Sequence, residues 1–205
     1  MSASEPFARD TALPAADAPD AASTTERPSH TDIPPLRLIA AGGTFDKRYD
    51  PVAGQLVFGG SHLAPIVQRA RLFDAVTVDV QMQIDSLDMD DGHRQQLLDA
   101  CRRAAEPAIV IVHGTDTMVD TARVLGNAAL PATIVLTGAM IPYDIDGSDA
   151  LFNLGHAIGC ARSLPAGVWV AMQGCAYPWD RVRKNRRIGR FEVAPPESAG
   201  EPRRA

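Results

Sequence analysis

No stretch of the sequence approaches the roughly 18 consecutive apolar residues that a membrane-crossing helix needs, and its start shows no charged segment followed by an apolar core. Neither membrane association nor secretion is therefore expected. A cationic excess is also missing. Lys and Arg total 20 against 25 Asp and Glu, for a formal net charge of −5, which argues against a general nucleic-acid binder. Cysteine is scarce: Cys101, Cys160 and Cys175 form an odd set with no CxxC or Cys/His ligand spacing, and they read as reduced thiols of a cytoplasmic protein. The GxxxxGK(S/T) pattern of a phosphate-binding loop is absent. His93, His113 and His156 lack ligand spacing and DMDDG at 88–92 lacks the remaining acids of a calcium loop, so neither metal nor cofactor is expected.

What is present suits one substantial core, since 205 residues at 45% hydrophobic composition are too few for two full domains. Residues 1–35 hold six of the sixteen prolines and almost no periodicity, and read as a disordered tail. Acids such as Asp10, Asp17, Asp20, Glu26 and Asp32 set it apart from an arginine-rich transit peptide. Residues 36–192 make up the expected domain and 193–205 a second disordered tail.

Inside the domain apolar runs alternate with amphipathic ones. Strands are expected at 36–41, 76–84, 109–112, 133–136 and 167–172. Helices are expected at 63–72, at 88–106 with Leu97, Leu98, Cys101 and Ala105 on one face and Pro107 as terminator, at 118–126, and at 150–161. In the last of these, Ser148 or Asp149 would cap and Leu151, Leu154 and Ile158 would face inward. FDKRYDPVAGQLVFGG at 45–60 reads as a hairpin flap turning near Ala53-Gly54-Gln55, with Gly59-Gly60 as a hinge. The recurring strand, helix, strand order implies right-handed crossovers and a three-layer α/β sandwich with a mostly parallel sheet, Rossmann-like or flavodoxin-like.

The stretch AIVIVHGTDTM at 108–118 ends a buried strand in an imidazole, two hydroxyls and a carboxylate. Ligands bind outside the carboxyl ends of strands in such sheets, so Gly43-Thr44, Asp85-Ser86, His113 to Asp116, Thr137-Gly138 and Gln173-Gly174 would gather along one edge. Hydroxyls beside a carboxylate and unshielded backbone N–H groups are what nucleophilic acyl transfer requires. For each motif alone a plainer reading competes. Asp116 or Thr117 could cap the following helix, and His113 reads first as a buried, hydrogen-bonded histidine. The six basic residues from Arg181 to Arg190 read first as a solvated face, with an RNA or acidic partner as the rival.

Taken together, AGGTF at 41–45, DSLDM at 85–89, HGTDTM at 113–118, TGAMIP at 137–142 and SDALFNL at 148–154 resemble the bacterial-type L-asparaginase family, in particular its larger N-terminal α/β domain. The resemblance implies that Thr44 attacks a side-chain amide, that Tyr49 on the flap assists, and that Thr115 and Asp116 form the rigid part of the site. It further implies substrate contacts from Gly43, Ser86, Leu87, Asp116 and Ala139, with L-asparagine as the small-molecule substrate, L-aspartate and ammonia as products and weak action on glutamine. Against the family pattern, the lysine expected before the GAM segment aligns with Ala132, so Lys184 is the candidate replacement. Its rival role is a contact with a partner subunit. The family's smaller C-terminal domain is not matched, so a homo-oligomer is expected to supply part of the site. The alternative is a non-catalytic amino-acid binding module on the same fold.

Overall fold

In the computed structural model, residues 33–72 and 75–195 are described, and the disordered-tail readings of 1–35 and 193–205 fall almost wholly outside them. The chain runs through β1 (Leu36–Gly42), a hairpin of β2 (Lys47–Asp50) and β3 (Gln55–Phe58), α1 (Leu63–Arg69), β4 (Val76–Ile84), α2 (Asp91–Arg103), β5 (Ala108–Val112), α3 (Met118–Asn127), β6 (Thr133–Thr137), α4 (Ala150–Ser163), β7 (Gly167–Met172), β8 (Cys175–Pro178) and a second hairpin of β9 (Val182–Asn185) and β10 (Arg190–Val193). Among the described residues no helix is long and apolar enough to cross a membrane.

Six strands form the main sheet in the order β4-β1-β5-β6-β7-β8. All neighbours are parallel except β8, which turns back antiparallel on β7. The inner strands β5 and β6 are buried at every position, which explains their unbroken apolar runs. Alternate residues enter two cores. Ile39, Ile109, Ile111 and Leu136 pack with Leu97, Leu98, Met118 and Leu125 of α2 and α3, while Leu38, Ala40, Val110 and Val112 pack with Leu63, Ile66, Leu154 and Ala157 of α1 and α4. Helices therefore cover both faces, as the strand, helix, strand order requires.

From β1 the chain steps outward to β4 and then returns across β1 to β5. The carboxyl ends of β1 and β5 thus lie at the topological switch point, where open α/β sheets leave a crevice. Two glycines bring these ends unusually close. Gly43 has φ +77, and a Cβ there would fall 2.3 Å from Gly114 Cα; one on Gly114 would fall 2.5 Å from Ser86 Oγ.

Several expected details differ. α2 stops at Arg103, well before Pro107, because Glu106 is drawn toward β1 by a bond from Arg37 Nε at 2.8 Å; Ala105 is consequently exposed in the linker. α1 ends at Arg69 rather than 72. In α4 the inward face is Ala150, Asn153, Leu154, Ala157 and Ala161, mostly small residues that let the helix sit close to the sheet, so Leu151 is turned out into solvent. Asp149 does not cap α4; its carboxylate accepts the N–H groups of Met140 and Ile141, and Ser148 Oγ accepts that of Ala150.

His113 is fully buried behind the switch point. Its Nδ1 lies 2.7 Å from the Gly114 carbonyl, which can only accept, so the proton sits on Nδ1 and Nε2 accepts from Thr121 Oγ1 at 2.9 Å. With both ring nitrogens engaged it is a structural histidine, and burial pushes its pKa down to about 4. Between the ordinary value near 6.5 and about 4 the unfolded chain binds a proton that the native state refuses. Stability is expected to fall as pH drops through that window, by at most roughly 3 kcal/mol, and His113→Gln should flatten this slope in urea titrations at several pH values. Gly43→Ala should lower stability by roughly 2–4 kcal/mol through overpacking at a positive φ, read from the urea midpoint; an unchanged midpoint would contradict the close passage of β1 and β5.

Candidate active site

Thr44, Ser86, Thr115 and Asp116 each lie just beyond the end of a strand of the main sheet. Beyond β1, Gly42 and Gly43 both adopt positive φ and lead into a short 3-10 turn, Thr44–Asp46, which sets Thr44 on the crevice. Its hydroxyl is half-buried and forms no hydrogen bond to any described residue. Beyond β4, Asp85 receives the N–H of Leu87 at 3.0 Å and shapes a second 3-10 turn, Ser86–Asp88. Lys47, at the root of the flap, donates to Asp85 Oδ2 at 2.6 Å and holds that carboxyl below the usual carboxylate range.

Ser86 is buried between these ends. Its Oγ accepts the N–H of Asp116 at 3.3 Å, and its carbonyl accepts Thr117 Oγ1 at 2.7 Å. Thr117 occupies the N-cap position of α3 without capping it by its side chain, so the helix-cap reading of this stretch does not hold.

Lys184 reaches the same point from β9. Its Nζ donates to Thr115 Oγ1 at 2.7 Å and to Asp116 Oδ1 at 2.8 Å, and the lysine side chain is only 8% exposed. The amine is thus engaged within its own chain. Arg186 adds a bond from its guanidinium to the Asp116 carbonyl at 3.1 Å, while Arg183 pairs instead with Glu192 at 2.6 Å. The basic run is therefore not simply a solvated face. Ala132, the position expected from the sequence motifs to align with a lysine, immediately precedes β6 at the amino edge of the sheet. A side chain there stands at the opposite end from Thr115, so its being alanine leaves no gap in the site.

The hairpin bearing Lys184 is fastened by residues whose role was not legible in the sequence. Val182 and Phe191 insert into the core. Gln173 donates to the Gly189 carbonyl at 2.9 Å and accepts the N–H of Phe191 at 3.3 Å, and Tyr177 donates to the Phe191 carbonyl at 3.0 Å. Buried Asn153 accepts the Gln173 N–H at 2.9 Å and donates to the Gly138 carbonyl at 3.0 Å. Gln173 ends a strand and so was visible as a loop residue, but its partners lie far along the chain.

Thr44, Ser86, Thr115, Asp116 and Lys184 are brought together at the switch point, with Gly43 supplying the close approach. Three other candidates stand apart. Tyr49 lies on the flap, paired with Leu56 and 58% exposed. Leu87 is exposed beside Ser86, and Ala139 is packed in the core with almost no free surface. Asp46 carries no signal in the sequence, yet it is fully buried, accepts the His62 N–H at 2.9 Å and Ser61 Oγ at 3.2 Å, and so joins the two roots of the flap. Burial raises its pKa, and its second oxygen has no hydrogen-bond partner among the described residues. The described residues contain no group of three or more His, Cys, Asp or Glu side chains able to hold a metal ion.

Residues 36–193 match the family described as Asparaginase, N-terminal. Over 146 residues the chain is 33% identical to a glutamyl-tRNA(Gln) amidotransferase subunit from Aeropyrum pernix, covering 67% of this chain and 34% of that protein. The corresponding amidotransferase subunit from Thermococcus kodakarensis is 31% identical over 154 residues, covering 72% of this chain and 35% of its own length. Among solved structures, L-asparaginase I from Vibrio cholerae shares the fold with a TM-score of 0.68 at 23% identity, over 78% of this chain and 51% of that one. The thermostable L-asparaginase from Thermococcus kodakarensis has a TM-score of 0.67 at 27% identity, over 77% and 50%. The chain therefore spans about a third of the length of these amidotransferase relatives and about half of the solved asparaginases. With its six-stranded, mostly parallel sheet and the match across nearly all of the described residues, the chain belongs to the asparaginase family, whose N-terminal domain it carries.

Proposed function

We propose that the chain is an amidohydrolase that converts L-asparagine to L-aspartate and ammonia, with weak action on L-glutamine. The observation that carries this reading is the bridge from Lys184 Nζ to Thr115 Oγ1 and Asp116 Oδ1, at the strand end that passes closest to the turn of Thr44. Thr44 attacks the amide carbon, so that a C–O bond forms and a tetrahedral oxyanion develops against backbone N–H groups near Gly43 and Thr115. The proton of Thr44 passes by way of the Thr115 hydroxyl, held in place by Lys184 Nζ, to the leaving nitrogen, the C–N bond breaks, and ammonia departs. Water then attacks the threonine ester, the hydroxyl is restored and aspartate is released. Tyr49 acts when the flap closes over bound substrate, and Ser86 and Asp116 orient it. No step calls for a metal or cofactor.

The working form is proposed to be a cytoplasmic homo-oligomer. The relatives named as amidotransferase subunits support a different partner protein as the second possibility for assembly. Neither a membrane nor a nucleic acid has a place in the reaction. The competing reading, a binding module without turnover, is favoured only by the exposed position of Tyr49.

Ammonia release from L-asparagine is the decisive assay. Thr44→Ala and Thr115→Ala should each reduce kcat by at least about a hundredfold, and full activity in either variant would sink the mechanism. Calorimetric binding of aspartate with no ammonia produced would favour the binding module. Lys184→Met should lower kcat by roughly 10²–10⁴-fold while keeping the protein folded; an unchanged rate removes Lys184 from the chemistry.

A further inference from the structure

We propose that Asp144 is a positioning residue that latches the flap: its carboxylate takes a hydrogen bond from Arg48 as the flap closes, and Tyr49 is thereby set over the crevice. What the flap covers rests on the amidohydrolase reading; the contact itself does not. Three buried polar atoms near the roots of the flap, Asp46 Oδ2, Arg48 Nε and His62 Nε2, have no hydrogen-bond partner among the described residues. Two of them are nitrogens beside one carboxylate. Asp144 Oδ2 lies 3.9 Å from Arg48 Nε and 3.5 Å from His62 Nε2. A buried donor left without an acceptor is costly, so the arrangement favours any movement that brings the guanidinium onto the carboxylate. A shift of roughly 1 Å turns this long ion pair into a charge-assisted hydrogen bond of ordinary length.

One side of the latch is fixed. Asp144 follows Tyr143, whose N–H donates to the Phe45 carbonyl at 3.2 Å, whose ring stacks with that of Phe45 and whose hydroxyl accepts from Arg69 Nη1 at 2.6 Å. The carboxylate therefore stands on a post tied to the turn of Thr44 and to α1. His62, its backbone N–H held by Asp46 at 2.9 Å, belongs to the same side. Arg48 is on the moving side, in the strand that carries Tyr49. Alternation along β2 puts Lys47 and Tyr49 on one face of the hairpin and Arg48 on the other. Lys47 is bonded to Asp85, next to Ser86, so the face of Tyr49 is the one turned to the crevice. The flap is thus tied closely on one face, at 2.6 Å, and loosely on the other, at 3.9 Å. A hairpin held on one face can roll about that bond, and the second tie stops the roll. Asp144 also borders a hollow of about 490 Å³, so its side chain can swing toward Arg48 without displacing packed atoms.

Amide hydrogen exchange on the full chain tests the contact without any substrate. Asp144→Asn removes the charge at nearly constant size, and Arg48→Gln removes its partner. Each should speed exchange of the flap amides, residues 47–58, by about three- to tenfold while those of β5 stay unchanged. The double variant should exchange no faster than either single one, because one change already opens the latch. Asp144→Glu keeps the carboxylate and gains reach, and should stay within about twofold of the unaltered chain. Flap exchange that does not change in the single variants, effects that multiply in the double variant, or an Asp144→Glu protein as fast as Asp144→Asn each overturn the proposal. Equal acceleration in β5 marks a general loss of stability and overturns it too. Ammonia release then reads the consequence: kcat/KM for L-asparagine should fall by about three- to tenfold in both single variants and no further in the double. An unchanged kcat/KM removes Asp144 from the positioning of Tyr49. If the unaltered chain releases no ammonia, the amidohydrolase reading fails, and the exchange result still decides whether Asp144 latches the flap.

Discussion

At the carboxyl edge of the sheet the backbones of β1 and β5 pass so closely that a Cβ on Gly43 would fall 2.3 Å from Gly114 Cα. Side chains are excluded from that contact, and everything else in the site is arranged around it. The turn after Gly43 holds Thr44, the residue after Gly114 is Thr115, and Ser86 fills the space that a side chain on Gly114 would need. Parallel pairing of β1 with β5, and with β4 through a register shift between Ala40 and Gly42, fixes the three strand ends, so the hydroxyls are placed by the sheet more than by the loops that carry them. Groups held on such a rigid frame are pre-positioned, which is where much of the advantage of a catalytic site over free solution comes from.

Lys184 is the one member that the sheet does not place. It arrives on a hairpin whose own two strands are too short to be stable alone, so core residues Val182 and Phe191 and the Gln173 and Tyr177 bonds must hold it. As a source of stability the resulting ion pair contributes little. Its lysine is 8% exposed and its aspartate 38%, and the cost of desolvating the ammonium offsets most of the attraction. What the pair does is geometric: Lys184 Nζ is held on a hydroxyl and a carboxylate at once, which fixes Thr115 and Asp116 relative to each other.

Legibility in the sequence followed how local each signal was. β5 and β6, buried on both faces, were readable from apolar runs alone, and the flap hairpin from its turn. Leu151 was misplaced because α4 packs through alanines, which leave a weaker periodic trace than leucine would. The end of α2 depended on Arg37 reaching Glu106 across 69 positions, which no local pattern records. Ala132 was misleading for a similar reason, since nearness in sequence to Thr137-Gly138 concealed that a strand's length separates them. Lys184 stood in a charge run that masks a period-two pattern in which Val182 and Lys184 point inward and Arg183 outward. Family motifs located Thr44, Thr115 and Asp116, but only three-dimensional contacts reveal Asp46, Asn153 and Gln173.

Asp46 shows how a rigid site can coexist with a moving cover. One of its oxygens takes the His62 N–H and Ser61 hydroxyl, binding the strand entering the flap to the segment leaving it. Gly59 lies so close to the Arg48 side chain that a Cβ there would fall 2.7 Å from its Cδ, while a Cβ on Gly60, at φ +106, would meet no atom within 4 Å. The flap tip is different: Tyr49, Val52 and Leu56 are all exposed, and β2 and β3 pair only with each other. A two-stranded hairpin with so little burial sits at the low end of local stability, whereas its roots share the order of the core. Movement of the tip therefore need not disturb Thr44, because Asp46 clamps the chain between the flap and the turn that holds Thr44.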